Sequence, residues 1–294
     1  MRNSCRLFIF AVVLVVSTMS CSGVLGVTNK EGFNYDDYAA VLKSYVDDAG
    51  MVNYKKLKAH SEKLKTFITS MSQLAPNNYD KWGKNKKIAF WLNAYNAFTL
   101  KVIIDNYPIK SSFLKSWYYP KNSIRQIKGV WDKVRFNVMG RDLTLGHMEH
   151  EILRKKFDEP RIHMAMVCAA MGCPSLRNEP YIGKKLDEQL DDQGRKFLAN
   201  PNKFSFDSNR RILYISPIFK WFNKDFVAAI LEGTNCAQYG EKEAAILEFV
   251  SKYLPQDHPC FSQSIKAVKI KYLDYNWSLN EQPIKGKKSN EPGE

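Results

Sequence analysis

An α+β fold, with helices packed against a small antiparallel sheet, is predicted by three observations. Segments with helical spacing alternate with hairpin patterns and show no repeated strand–helix–strand order. Of the 294 residues, 45% are apolar and 13% aromatic, enough for a sizeable core. No internal repeat is visible, so one domain is expected, over about residues 30 to 280.

Residues 1–26 read as a secretory signal peptide. Arg2 and Arg6 give a basic start, Leu7 to Val16 an apolar run of ten, and small residues follow. Ten apolar residues are too few to span a bilayer. A secreted, extracellular protein is therefore expected. "TMSC", ending at Cys21, loosely resembles a bacterial lipoprotein box, so the alternative is a cell-envelope protein held to the membrane only through a lipid on Cys21. Thr18 fits that box poorly.

"YDDYAAVLKSYVDDAG" is a helix that stops at Gly50, and "VNYKKLKAHSEKLKTFITSMSQL" continues helical until Pro76. A longer helix runs from Lys84 to Tyr107, closed by Pro108; its stretch Ala94 to Asp105 is interrupted by Asn96, Thr99 and Lys101 and reads as core. An aromatic-rich irregular segment follows through "SWYYPKN", the kind of long loop that often carries function. "WDKVRFNVMGRDLTL" alternates about a Gly140 turn as a hairpin, and "TLGHMEHEILRKKF" is a helix that Thr144 caps. After Pro160, "RIHMAMVC" is expected to begin a strand. "KKLDEQLDDQGRKFL" is a helix, "KFSFDSNRRILYIS" a hairpin about Asp207 to Asn209, "KEAAILEFVSKYL" a late helix and "IKAVKIKYL" a late strand. Residues 281–294, rich in Lys, Gly, Pro and Glu, read as a disordered tail.

The net charge is +14, and its lysines are scattered as "KLKAHSEKLK", "KWGKNKK" and "IKGKK", which reads as a solvated surface. With no basic stripe and no recognisable module, nucleic acid is not an expected partner. Six cysteines are present; Cys5 and Cys21 fall in the leader, leaving Cys168, Cys173, Cys236 and Cys260. In an oxidising compartment these admit three pairings. Cys236 and Cys260 flank the late helix and form an attractive pair, and Cys168 with Cys173 can pair if a turn brings their Cα atoms within about 7 Å.

Candidate chemistry concentrates in three places. Asn93 and Asn96 lie one turn apart on an otherwise apolar helix and must find partners, either as anchors of a loop or as ligand-binding groups. His150 and Arg154, four apart, could both reach a buried carboxylate or a cleft, where a histidine serves as base or proton carrier. In "HMAMVCAAMGCPSLR" a strand would point His163 and Cys168 to opposite faces, whereas Gly172 and Pro174 favour a turn that folds Cys173 back toward His163. The spacing suits no usual zinc knuckle, and neither metal nor cofactor is expected. Structural thiols or a disulfide are the plain reading; a nucleophilic Cys173, beside which Arg177 could hold an acidic group, is the sharper one.

The blocks "AFWLNAYNAFTL", "LTLGHMEHEILR", "PRIHMAMVCAAMGCPSLR", "PYIGKKLDEQL" and "YLDYNWSLN" together resemble the domain of unknown function 547 family, over about residues 33 to 280. That resemblance implies the papain-like cysteine-peptidase superfamily, with a nucleophile at a helix start and a histidine on a strand. Here "WLNAYNA" is similar to that helix and His163 to the opening of that strand, yet residues 84 to 107 hold no cysteine and Asn93 stands where a nucleophile is expected. Two functions follow as expectations: a thiol-dependent hydrolase or transferase using Cys173 with His163 or His150, or a non-catalytic papain-like protein that binds a peptide or small molecule. Thiol–disulfide exchange between Cys168 and Cys173 is a third, weakened by the four residues between them.

Overall fold

Tyr38, Val41 and Leu42, spaced for one helical face, are the buried residues of α1 (Asp36–Tyr45). The segment expected to stay helical from residue 52 to Pro76 divides into α2 (Tyr54–Ala59), capped by the Asn53 side chain accepting from the Lys56 N–H at 3.1 Å, and α3 (Glu62–Gln73). The break lets both Leu57 and Leu64 reach full burial. A short α4 (Pro76–Asp80) leads into α5 (Lys84–Asn106), which is buried around its whole circumference from Ile88 to Leu100 and forms the axis of the main core. The computed structural model describes residues 32–230, 240–255, 258 and 268–283; residues 1–31, with the expected signal peptide, Cys5 and Cys21, and also Cys236, Cys260 and 284–294, lie outside them. Among the described residues no helix is long and apolar enough to cross a membrane.

The expected hairpin forms between β1 (Phe136–Val138) and β2 (Arg141–Leu143), turning through Met139 and Gly140 at φ of 53° and 74°. Thr144 then caps α6 (Leu145–His147), its hydroxyl oxygen accepting from the His147 N–H at 3.1 Å. The helix does not continue as one regular α-helix: Met148–Leu153 is a π-helical stretch before α7 (Arg154–Lys156). Wide turns of this kind re-aim side chains and often mark functional positions.

The strand expected at residues 161–168 is absent. Pro160–Met164 is a 3₁₀ turn, started by Pro160 and by the Glu159 carboxylate, which accepts from the Arg161 N–H at 3.2 Å. The chain beyond is extended but bonded to a side chain, because the Asn96 amide takes the backbone groups that a neighbouring strand would.

Downstream, α8 (Leu186–Leu198) precedes a three-stranded sheet of order β3 (Phe204–Asp207), β4 (Ile212–Ile215), β5 (Lys269–Tyr272). The sheet is not wholly antiparallel as expected: β3 and β4 form the hairpin, but β4 and β5 run parallel, with Ile212 opposite Lys269. The parallel pairing is possible because α9 (Ile218–Trp221), α10 (Asn223–Ile230) and α11 (Glu241–Ser251) intervene. These elements pack a second core around Phe219, Phe226, Phe249 and Leu213. Ile162 and Ala165 belong to the main core and Met164 to the second, so the histidine-bearing turn is a seam between the two. Residues 279–282 cross back to the start of the fold: Val52 N–H donates to Asn280 O at 2.9 Å and Gln282 N–H to Val52 O at 3.0 Å, so the chain is placed beyond residue 280.

Candidate functional site

A cleft of about 300 Å³ opens at that seam. Trp131, Trp221 and Trp277 supply apolar wall, and Arg125, Glu149, His150, His163, Cys168 and Cys173 the polar groups. Apolar walls with a few convergent polar groups are the usual make-up of a ligand site.

The thiols are brought together by a local turn. Ala169 adopts φ 59°, unusual for a residue with a Cβ, and Cys173 N–H donates to Ala170 O at 3.0 Å. The loop thus curls until the Cys168 N–H donates to Cys173 Sγ at 3.0 Å. The closing segment is laid alongside: Met171 N–H donates to Ser278 O and Gly172 N–H to Asn276 O, both at 2.8 Å. Gly172 is required there, because a Cβ would stand 2.8 Å from the Tyr275 ring. In consequence the Tyr275 hydroxyl reaches both sulfurs, at 3.0 Å from Cys173 and 3.4 Å from Cys168. Both cysteines are free thiols in this structure.

Burial opposes ionisation of Cys173, but the Cys168 thiol, the Tyr275 hydroxyl and backbone groups of Ala170 and Cys168 outweigh it, bringing the thiol down to about 7. The Cys168 thiol, beside that developing charge and itself buried, is pushed well up. Tyr275 is also pushed well up, by burial and by the two thiols, and remains a neutral donor. Lys203, buried over the Phe197 ring, bonds the Cys173 carbonyl oxygen; burial lowers its ammonium.

His163 is fixed in the wall of the same cleft. Its ring stacks on Phe222 at 4.0 Å and 17°, and Nε2 lies 2.8 Å from Asp225 Oδ2. Arg154 grips the same carboxylate twice, at 2.6 and 2.9 Å. Burial would raise Asp225, yet the bonds from Arg154 and His163 hold its carboxyl well below the usual range. A carboxylate acceptor places the histidine proton on Nε2, so Nδ1 carries a bare lone pair; that atom is buried without a hydrogen-bond partner. Burial lowers His163 and outweighs the support of Asp225, keeping the ring neutral near pH 7. His150 is exposed and accepts from Arg154 Nη1 at 2.9 Å through Nδ1, which leaves its own proton on Nε2.

The structure therefore brings Cys173, His163 and His150 to one cleft and separates the other predicted groups from it. Asn93 exchanges two bonds with the Tyr181 backbone (2.8 and 2.9 Å), and Asn96 bonds Ala165 O at 3.0 Å and Val167 N–H at 2.9 Å. Both are loop anchors, the second of them holding the approach to Cys168. Arg154 is committed to Asp225. Arg177 pairs with Asp192 and with Glu179, at 2.5 Å to the latter, so the cation of the cleft is instead Arg125. Arg125 stands over Tyr119, Trp277 and Trp131 at 4.6, 5.1 and 5.4 Å.

Sequence reading missed Asp225, Tyr275, Glu149 and Arg125. Asp225 lies in the unread segment "FKWFNKDFVAAI", and an acidic residue in the first turn of an amphipathic helix was its available signal. Tyr275 lies inside "YLDYNWSLN" and had no signal beyond that block. No curated protein and no solved structure matches the chain. Residues 79–198, which carry α5, the His163 turn and both thiols, match the family described as "Protein of unknown function, DUF547"; the match takes in four of the five sequence blocks that carry the resemblance, and "YLDYNWSLN" lies outside it.

Proposed function

We propose that the cleft is a thiol-dependent active site of a hydrolase or transferase in which Cys173 attacks an acyl carbon. The observation that carries this reading is the Cys173 sulfur, which takes the Cys168 N–H and the Tyr275 hydroxyl at 3.0 Å each beside an apolar cleft. Such donors stabilise a thiolate, the nucleophilic form. The Sγ–carbon bond forms as the bond to the leaving group breaks; the proton that leaves the Cys173 thiol is carried by His163, at its bare Nδ1, or by His150 to the leaving group, and water or an acceptor then takes the acyl group from sulfur, giving its own proton to the same histidine and on to the departing thiolate. Asp225 orients His163 as an amide or carboxylate orients the base of other cysteine hydrolases. On this reading the chain is a papain-like relative whose thiol has moved from the helix start to the loop after Cys168, exported by the leader and acting on a peptide or small molecule.

The test is alkylation of the unreduced protein with iodoacetamide across pH, mapped by mass spectrometry. Cys173 is expected to label with a midpoint near 7, more slowly in His163→Ala or His150→Ala. An inert Cys173 at neutral pH removes the nucleophile and the proposal with it.

A second reading rests on the shared Tyr275 hydroxyl, which makes the two sulfurs neighbours. Recovery of a Cys168–Cys173 disulfide that opens with a dithiol, which is oxidised to its own disulfide, and re-forms with that oxidised reagent would favour thiol–disulfide exchange over acyl transfer.

A further inference from the structure

Phe113, Leu114, Trp117 and Tyr118 are 78%, 75%, 76% and 83% exposed. Isolated exposed apolar side chains are ordinary, but four within six residues make a patch, and patches of this kind mark contact surfaces. The residues are displayed and not merely loose. A 3₁₀ turn at Lys115–Trp117 carries them, the Ser116 N–H and hydroxyl both donate to Ser112 O at 3.0 and 2.8 Å, and the Tyr119 N–H donates to Lys115 O at 2.9 Å.

The turn is also bolted to its neighbour. Lys115 Nζ donates to Arg125 O at 2.9 Å, and the buried Gln126 side chain bonds Tyr119 O, Pro120 O and the Ser112 N–H. The aromatic tips are thereby held outward while the polar backbone of the loop is satisfied.

Charge selects the partner. Between residues 106 and 131 there is no acidic residue, while Lys110, Lys115, Lys121, Arg125 and Lys128 are all basic, and Lys110, Lys121 and Lys128 are exposed. Aromatic and aliphatic tips flanked along the chain by exposed lysines are suited to a lipid interface, where rings settle at the headgroup level and ammonium groups meet anionic headgroups. A purely apolar protein partner would leave those lysines without a role.

We infer that the 110–128 segment is a membrane-docking loop that inserts Phe113, Leu114, Trp117 and Tyr118 into the interface of an anionic bilayer. The loop is continuous with the cleft wall through Arg125 and Tyr119, so docking brings the cleft beside the lipid surface. This inference goes beyond the thiol reading and does not rest on it.

The test uses the full chain with phosphatidylglycerol–phosphatidylcholine vesicles and with phosphatidylcholine vesicles alone. Partitioning is measured by co-sedimentation, and contact is located by hydrogen exchange. Expected are binding to the anionic vesicles that weakens with salt, slowed exchange at residues 111–120, and a loss of at least about tenfold in partitioning for Phe113→Ser/Leu114→Ser/Trp117→Ser/Tyr118→Ser. Lys110→Glu/Lys121→Glu/Lys128→Glu is expected to lose the preference for anionic lipid. All substituted side chains are exposed, so circular dichroism and the urea midpoint stay those of the parent. No partitioning, unchanged exchange at 111–120 in the bound chain, or a dimer that dissociates in the serine variant would each overturn the inference; the last would make a second copy the occupant.

Discussion

Three donors meeting one sulfur decide the chemistry at the scale of single residues. Cys173 is buried, and burial alone would leave it a neutral thiol; the Cys168 groups and the Tyr275 hydroxyl reverse that. Alkylation of Cys173 should therefore rise with pH through about 7, because thiolate forms as the proton leaves. In Tyr275→Phe the ring and its packing remain but the 3.0 Å donor is lost. A hydrogen bond to a charged group contributes about 1.5–3 kcal/mol, so the midpoint of the labelling profile should move upward by roughly one to two pH units. A profile that does not move would mean that Tyr275 packs against the sulfur without supporting its charge. Cys173, His163 and His150 were legible from the sequence as reactive residue types near a turn. Tyr275 was not, since a tyrosine more than a hundred positions away becomes a ligand of the sulfur only when the chain folds.

Among elements, α7, the 3₁₀ turn at Pro160–Met164 and α10 are locked by one carboxylate. Asp225 bonds Arg154 and His163, which come from the other two. Asp225→Asn keeps the shape and removes the charge, leaving a guanidinium short of its partner. Arg154 and Asp225 side chains are 24% and 21% exposed, so solvent reduces the cost below that of a fully buried pair, to about 2 kcal/mol. The sign follows from the depressed carboxyl of the folded state. Its contribution is complete above the unfolded value of about 4 and fades as pH falls toward the folded one. Urea unfolding should show parent and variant well separated at pH 7 and converging in acid; equal stability at both pH values would show that the lock holds nothing. The helices α5, α8 and α11 were legible from their apolar spacing, and the two hairpins from alternation about a turn. The strand expected after Pro160 was not formed, because alternation describes any extended segment and cannot say whether a strand or the Asn96 side chain satisfies its backbone.

For the molecule as a whole, the closing strap ties the thiol loop to the N-terminal helices. Asn280 N–H donates to Ala169 O at 3.1 Å, its Oδ1 accepts from the fully buried Tyr54 hydroxyl at 2.6 Å, and its amide donates to Gly50 O at 3.3 Å. Asn280→Ala strands the Tyr54 hydroxyl without an acceptor, a loss of roughly 2 kcal/mol at one buried site. The expected outcome is a lower urea midpoint together with faster hydrogen exchange at residues 169–172 and at Val52. Faster exchange at Val52 alone would show that the thiol loop is held by its own turn and not by the strap.

The sequence by itself determined that the chain mixes helices with hairpins, that α5 is core, and that cysteine and histidine gather between residues 150 and 173. These are local properties: hydrophobic period, punctuation by Gly and Pro, and residue type within a few positions. Only the tertiary structure decided that Arg125 and not Arg177 faces the cleft, that Asp225 holds His163, and that Tyr275 supports Cys173. The physical reason is that the His163–Asp225 and Cys173–Tyr275 contacts join side chains 62 and 102 positions apart, and the Arg177 pairing depends on which nearby carboxylate a guanidinium meets first. Such choices are set by how two cores and a strap pack together.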